Sequence, residues 1–187
     1  MVDIREVLNL DLANFSNRQE FIDFLSESYE IHPHQTVKII IIDDIYCYKI
    51  GIHKYNLRDN IFNELKLYNK ALDYNFEGFF EKLELMGNFK NFPANKIYRQ
   101  KKLIIDKDLN FDILVENWIE KFGKNKVIEF NKFLDENNIW DLHRSNIGYD
   151  PEEQLYKLID YEPYPEQKRD DIAHHKDNFN EALKKYL

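Results

Sequence analysis

The spacing of apolar and polar positions changes several times along this chain, and each change marks a predicted element. Ser16-Asn17-Arg18-Gln19 has capping-box spacing ahead of Phe21, Ile22 and Leu25, which predicts a short amphipathic helix. "TVKIIIIDDIYCYKIGI" then gives two β-rich runs on either side of Asp43-Asp44, the pattern of a hairpin. In the second run Ile45, Cys47 and Lys49 alternate with Tyr46, Tyr48 and Ile50, so the lysine and the tyrosines lie on opposite faces. Leu57, Ile61, Leu65, Tyr68 and Leu72 step by three or four residues and predict a helix, with Glu64 on the flank of its apolar stripe. "LELMGNF" and "KIYRQKKLII" predict strands around a loop at Lys90–Asn95. Phe111, Leu114, Val115, Trp118, Ile119 and Phe122 form a second helical stripe closed by Gly123. Val127, Phe130 and Leu134 carry a further helix to Asn137-Asn138.

Beyond that helix the period shortens. Ile147-Gly148-Tyr149 and Leu155–Ile159 read as short strands joined by the turn-forming Asp150-Pro151-Glu152-Glu153. Antiparallel pairing brings the open ends of a hairpin together, so Asn146 and Asp160 become neighbours. Asp141 lies just upstream, and three oxygen-bearing side chains are expected to converge. Asp170-Asp171 opens a last helix carrying Ile172, Phe179, Leu183 and Tyr186, with acids at its start and Lys184-Lys185 at its end, as the helix dipole favours.

Composition sets the outer bounds. Of 187 residues, 43% are hydrophobic and 15% aromatic, ample for the core of one domain. A formal charge of -8 argues against nucleic acid as a partner, because that affinity rests on Lys and Arg neutralising phosphates. It leaves room for an anion bridged by a metal. The single cysteine, Cys47, can form no internal disulfide. The N-terminal residues lack a signal-peptide pattern, and the apolar run Ile39–Ile42 is far too short to cross a bilayer. A cytoplasmic protein without a membrane partner is the expectation. The Asn/Ile/Lys-rich composition is of the kind met in phage and low-GC bacterial chains.

The converging Asp141, Asn146 and Asp160 suit magnesium, which takes hard oxygen ligands, keeps several waters and is completed by substrate phosphates. Phosphoryl transfer needs such charge neutralisation and a residue that orients the attacking hydroxyl. Upstream, Lys49 on a strand and Glu64 on the next helix are placed to form an ion pair that fixes a positive charge for phosphate oxygens.

These residues resemble a known family. "DLHRSN" at Asp141–Asn146 resembles the catalytic loop of the protein-kinase-like superfamily, nearest to its aminoglycoside-phosphotransferase branch, where the pattern is Asp-Leu-His-x-x-Asn. "LID" at Leu158–Asp160 resembles the metal-binding aspartate of the Asp-Phe-Gly element. "YCYKI" resembles the strand of the nucleotide-contacting lysine, "NIFNELKLY" the helix of its glutamate partner, and "IYRQKKL" falls where the hinge between lobes lies. The order agrees from Val37 to Tyr161. The resemblance implies an α+β class and a reduced two-lobed kinase-like fold, one domain over residues 1–187. Residues 1–102 would form an antiparallel N-terminal lobe with a preceding helix, and residues 103–187 a mainly helical C-terminal lobe. It further implies ATP and Mg2+, with a hydroxyl on a protein or small molecule as acceptor. Asp141 would be the base, His143 a loop-structuring neighbour, Asn146 and Asp160 metal ligands, and Lys49 with Glu64 the nucleotide-binding pair.

Two features depart from that pattern. "SYEIHPHQTVKIIII", ahead of Lys49, contains no glycine, although close backbone approach to phosphates relies on it. Asp160 is followed by Tyr161-Glu162-Pro163 instead of Phe-Gly, and only Glu162–Leu187 remains beyond it. Both favour an alternative, a catalytically inactive pseudokinase-like protein that binds a protein partner. Taken singly, Asp141 and Asn146 also read as capping or turn residues, Lys49 and Glu64 as surface charges, and Trp118 and Trp140 as core. His174-His175 would join His143 in a zinc site only if the tail folds back. Arg99–Lys102 is the one basic cluster.

Overall fold

The computed structural model describes residues 3–32, 38–51, 60–172 and 174–187. The chain divides into two compact units, Met1–Leu65 with Lys82–Lys102, and Lys66–Glu81 with Leu103–Leu187. Residues 66–81, grouped by sequence with the N-terminal lobe, cluster with the second unit. Leu67, Ala71, Phe76, Phe79 and Phe80 enter its core, which explains the difference.

In the first unit, Asp3 caps helix α1 (Ile4–Leu8) by accepting from the amides of Arg5 and Glu6. Helix α2 (Arg18–Ser26) carries the expected capping box one residue later than its spacing suggested. Asn17 accepts from the Glu20 amide at 3.0 Å, and Glu20 reaches back to the Ser16 amide at 2.7 Å. Gln19 turns instead to Asp23, its side-chain nitrogen donating to that carboxylate. Phe21 and Leu25 are buried as predicted.

Strands β1 (Glu30–Ile31), β2 (Ile39–Ile42), β3 (Tyr46–Gly51), β4 (Leu83–Phe89) and β5 (Phe92–Lys101) build one antiparallel sheet in the order β1-β2-β3-β5-β4. The β2–β3 hairpin turns at Asp43 as expected: its carboxylate accepts from the amides of Ile45 and Tyr46. The β4–β5 loop is shorter than predicted, because pairing extends to Phe89 and Phe92 and leaves only Lys90 and Asn91 between the strands. One face of the sheet, with Ile39, Ile41, Tyr48, Ile50 and Ile97, packs on Val7, Phe21 and Leu25. The other carries Leu83 and Tyr98 against Ile61 of helix α3 (Asn60–Asp73). Leu57, first in the predicted helical stripe, lies outside the described residues. Within α3 the buried positions are Ile61, Glu64, Leu67 and Ala71, while Leu72 is exposed, so the stripe is rotated from the predicted one and Glu64 lies inside it.

In the second unit, helices α4 (Phe111–Phe122) and α5 (Lys124–Glu136) match the predicted stripes. Gly123 ends α4 with φ of 85°, a backbone shape that favours glycine, and its amide donates to Ile119. The core is aromatic: the Phe79 and Phe130 rings stack at 3.9 Å, and the Trp118 ring meets Phe79 edge-on at 5.2 Å. Strands β6 (Ile147–Asp150) and β7 (Leu155–Leu158) form the predicted hairpin, with Ile147 opposite Leu158 and Asp150 opposite Leu155. Gly148 admits no side chain, since a Cβ there would lie 2.5 Å from the Leu103 Cβ. The predicted last helix is found as α6 (Arg169–Ile172) and α7 (His174–Lys184), with Phe179 and Leu183 buried. The α+β class is as expected, with a sheet-built first unit and a mainly helical second unit. No helix among the described residues is long and apolar enough to cross a membrane.

Candidate functional site

The first unit holds Lys49 and Glu64. Lys49 lies opposite Ile40 on β2 and Tyr98 on β5, so its side chain leaves the sheet on the face that Tyr98 shares with α3. Glu64 follows Ile61 on the buried side of α3 and meets it: Lys49 Nζ lies 2.6 Å from Glu64 Oε2, with side-chain exposures of 4% and 0%. The second carboxylate oxygen is also used, by Lys38 Nζ at 3.1 Å. Lys38 was not singled out in the sequence. Its signal was available in the strand alternation, which puts Lys38 and Ile40 on one face of β2's run.

The second unit holds Asp141, His143, Asn146 and Asp160. A short 3-10 turn, Arg144–Asn146, follows His143, whose ring caps it by accepting from the Ser145 amide. His143 Nδ1 also lies 2.7 Å from Ser145 Oγ. Asn146 Nδ2 donates to the Asp141 carbonyl at 3.0 Å, tying the two ends of the loop together. The Ile159 amide donates to the Asn146 carbonyl at 2.9 Å, which extends the β6–β7 pairing and sets Asp160 one residue from that contact. The hairpin is pinned from below. The Glu81 amide donates to the Leu158 carbonyl at 2.8 Å, and Lys157 Nζ reaches Glu153 at 2.7 Å, Glu81 at 3.3 Å and Asp150 at 3.6 Å.

Two further groups take hold of Asp141. His175 Nδ1 lies 2.6 Å from Oδ1, and the Tyr164 hydroxyl donates to Oδ2 at 3.3 Å. Burial pushes the Tyr164 phenol up, with the Asp141 carboxylate adding to the shift, so the hydroxyl stays protonated and remains a donor. Neither partner was predicted. The tail does fold back, and the His175 ring lies 4.9 Å from His143 and 4.0 Å from His174. The zinc reading gains nothing from this. Among the described residues no three His, Cys, Asp or Glu side chains are arranged to hold a metal.

Asn146 and Asp160 are oxygen donors, the ligand type that magnesium takes. Asn146 spends its amide nitrogen on the Asp141 carbonyl, so Oδ1 is the atom it could offer a cation. Few protein oxygens, with water and phosphate completing the sphere, are what this ion takes. The basic cluster Arg99–Lys102 is not one patch: Arg99 pairs with Glu84 at 2.6 Å, and Lys102 Nζ donates to the Asp43 carbonyl at 3.1 Å.

No protein-family model matches the chain, and no curated protein matches it. Among solved structures it is similar to WbdD, determined as a co-crystal with the kinase inhibitor LY294002, at 15% identity and a TM-score of 0.37. The match covers 71% of this chain and 32% of that one, so the chain spans about a third of that structure's length.

Proposed function

We propose that this protein is a small kinase-like phosphotransferase that moves the terminal phosphoryl group of Mg-ATP to a hydroxyl on a protein or small molecule. The observation that carries the reading is the buried Lys49–Glu64 pair at 2.6 Å. Withdrawing two charges from water costs several kcal/mol per ion, roughly, and replacement by apolar residues is often neutral or better. A pair kept under those terms points to a use for the fixed charge, and phosphate oxygens are the partner it suits. In the second unit, Asp141 would orient the acceptor hydroxyl, and Asn146 and Asp160 would hold the magnesium. Bound there, the ion would neutralise phosphate charge.

A thermal-shift titration tests the first half, because a ligand that binds only the folded state stabilises it, by about 2.7 kcal/mol at a hundredfold excess over Kd. Asp141→Ala should keep that shift and lose about 10^2–10^4-fold in turnover, the range typical of a lost acid–base group. Full activity in that variant would remove Asp141 from the chemistry. The second reading, a pseudokinase-like protein that binds a protein partner, draws support from Asp141 itself, whose two oxygens are both engaged within the chain. Absence of any shift with ATP and magnesium at millimolar concentration would decide for it.

A further inference from the structure

We infer that His175, held by Asp141, is the group that takes the acceptor's proton, so that the two act as a dyad. The inference rests on the phosphotransfer reading and reassigns one role within it. His175 Nδ1 and Asp141 Oδ1 are 2.6 Å apart, a short, charge-assisted distance, with side-chain exposures of 26% and 23%. An ionised carboxylate only accepts, so the hydrogen of that bond belongs to Nδ1. Neutral imidazole carries one N–H, and Nε2 is left as a lone-pair acceptor. The other oxygen of Asp141 takes the Tyr164 hydroxyl at 3.3 Å. With both carboxylate oxygens occupied, one by His175 and one by Tyr164, Asp141 is better placed to hold an imidazole than to meet an acceptor hydroxyl itself. The same logic governs any base that is oriented by a third group.

His175 is positioned from more than one side. It stands in the first turn of α7, whose Phe179 and Leu183 are buried in the core of this unit. The His143 ring meets it edge-on, with centroids 4.9 Å apart and an interplanar angle of 61°, and the His174 ring lies 4.0 Å away. The step balances without an added reagent. The acceptor O–H gives its proton to Nε2 of His175 while the oxygen bonds to the γ-phosphorus of ATP. The bond from that phosphorus to the bridging oxygen breaks, and its electron pair leaves with the nucleoside diphosphate. Asp141 keeps the Nδ1 hydrogen bond throughout and faces the imidazolium that forms.

The test separates holding Asp141 from taking a proton. An asparagine at 175 places an amide N–H where Nδ1 was and offers no base. With ADP formation from Mg-ATP as the readout, His175→Asn should lower kcat by about 10^2-fold or more, with KM for ATP essentially unchanged. A kcat within about threefold of wild type, well short of what losing an acid–base group removes, would overturn the proposal and leave His175 a positioning residue. Nitrogen NMR of the full-length protein gives a second, activity-independent reading. It should find His175 as the Nδ1–H tautomer, and an Nε2–H tautomer would overturn the dyad even if the variant fails to fold. A wild-type protein that neither binds nor turns over Mg-ATP would overturn the phosphotransfer reading and this inference with it. Turnover that survives in His175→Asn removes this inference alone.

Discussion

Lys49–Glu64 and Asp141–His175 are both 2.6 Å contacts between a basic and an acidic side chain, yet they belong to different kinds of structure. The first joins two neighbouring elements, β3 and α3, and is closed off from water, with Lys38 as a third member. The second joins residues 34 apart in sequence, stays partly open, and shares its carboxylate with a tyrosine from a segment without regular structure. A buried pair cannot lose one member without stranding a charge, so it is bound to stability. A half-exposed cluster can be rehydrated when one member is lost, so its changes fall mainly on chemistry. Distance alone does not tell how much stability a broken contact costs; burial does.

The largest effect expected from breaking this contrast is on the buried side. Glu64→Ala leaves Lys38 and Lys49 buried without their shared carboxylate, and breaking a buried pair in this way costs about 3–5 kcal/mol. Urea unfolding should show a lower midpoint with an unchanged slope. A loss below about 1 kcal/mol, the range of exposed pairs, would mean that water reaches the cluster. Tyr164→Phe is the middle case. It removes one hydrogen bond from Asp141 and should lower stability by about 0.5–1.5 kcal/mol, the net value of a single hydrogen bond. The same measurement would expose a larger role if the loss matched that of Glu64→Ala.

The smallest effect sharpens the comparison through a pair of equal length in the open. Arg99 and Glu84 also lie 2.6 Å apart, but with exposures of 31% and 35%. Hydrogen bonds from Lys82 and Arg99 hold the Glu84 carboxyl below its ordinary value. Its contribution is therefore present above the ordinary glutamate range, near 4.3, and fades as pH falls through the lowered folded-state value. Glu84→Gln should lower Tm slightly at pH 7, by the equivalent of about 0.2–1 kcal/mol. The difference from wild type should vanish in strong acid, and a difference that persists there would assign the effect to packing.

Local patterns were legible in the sequence, and contacts made by the whole fold were not. The β2–β3 hairpin announced itself because Asp43 supplies its own turn acceptors. The β6–β7 hairpin did so because Asp150 and Pro151 break the apolar run. That was enough to set Asn146 beside the residues before Asp160. Stripe periodicity found α4 and α5, where nothing competes with apolar burial. It misplaced the buried face of α3, because Glu64 is drawn inward by two lysines, a tertiary effect that overrides hydrophobic phase. Tyr164 carried no signal at all, since it stands outside any periodic element. His175 was visible only as half of a histidine pair, and its nearness to Asp141 depends on where the last helix docks.

The chain contains two tryptophans. Trp118 is buried in the aromatic core and donates from its indole nitrogen to the Tyr156 carbonyl at 2.7 Å, so its emission follows the melting of the second unit. Trp140 adjoins Asp141 in the chain, with the Arg169 guanidinium 5.5 Å from its ring. A Trp118→Phe protein would therefore glow from a single lamp beside Asp141. Its emission would report on the surroundings of Trp140, the Arg169 contact included, with no dye attached.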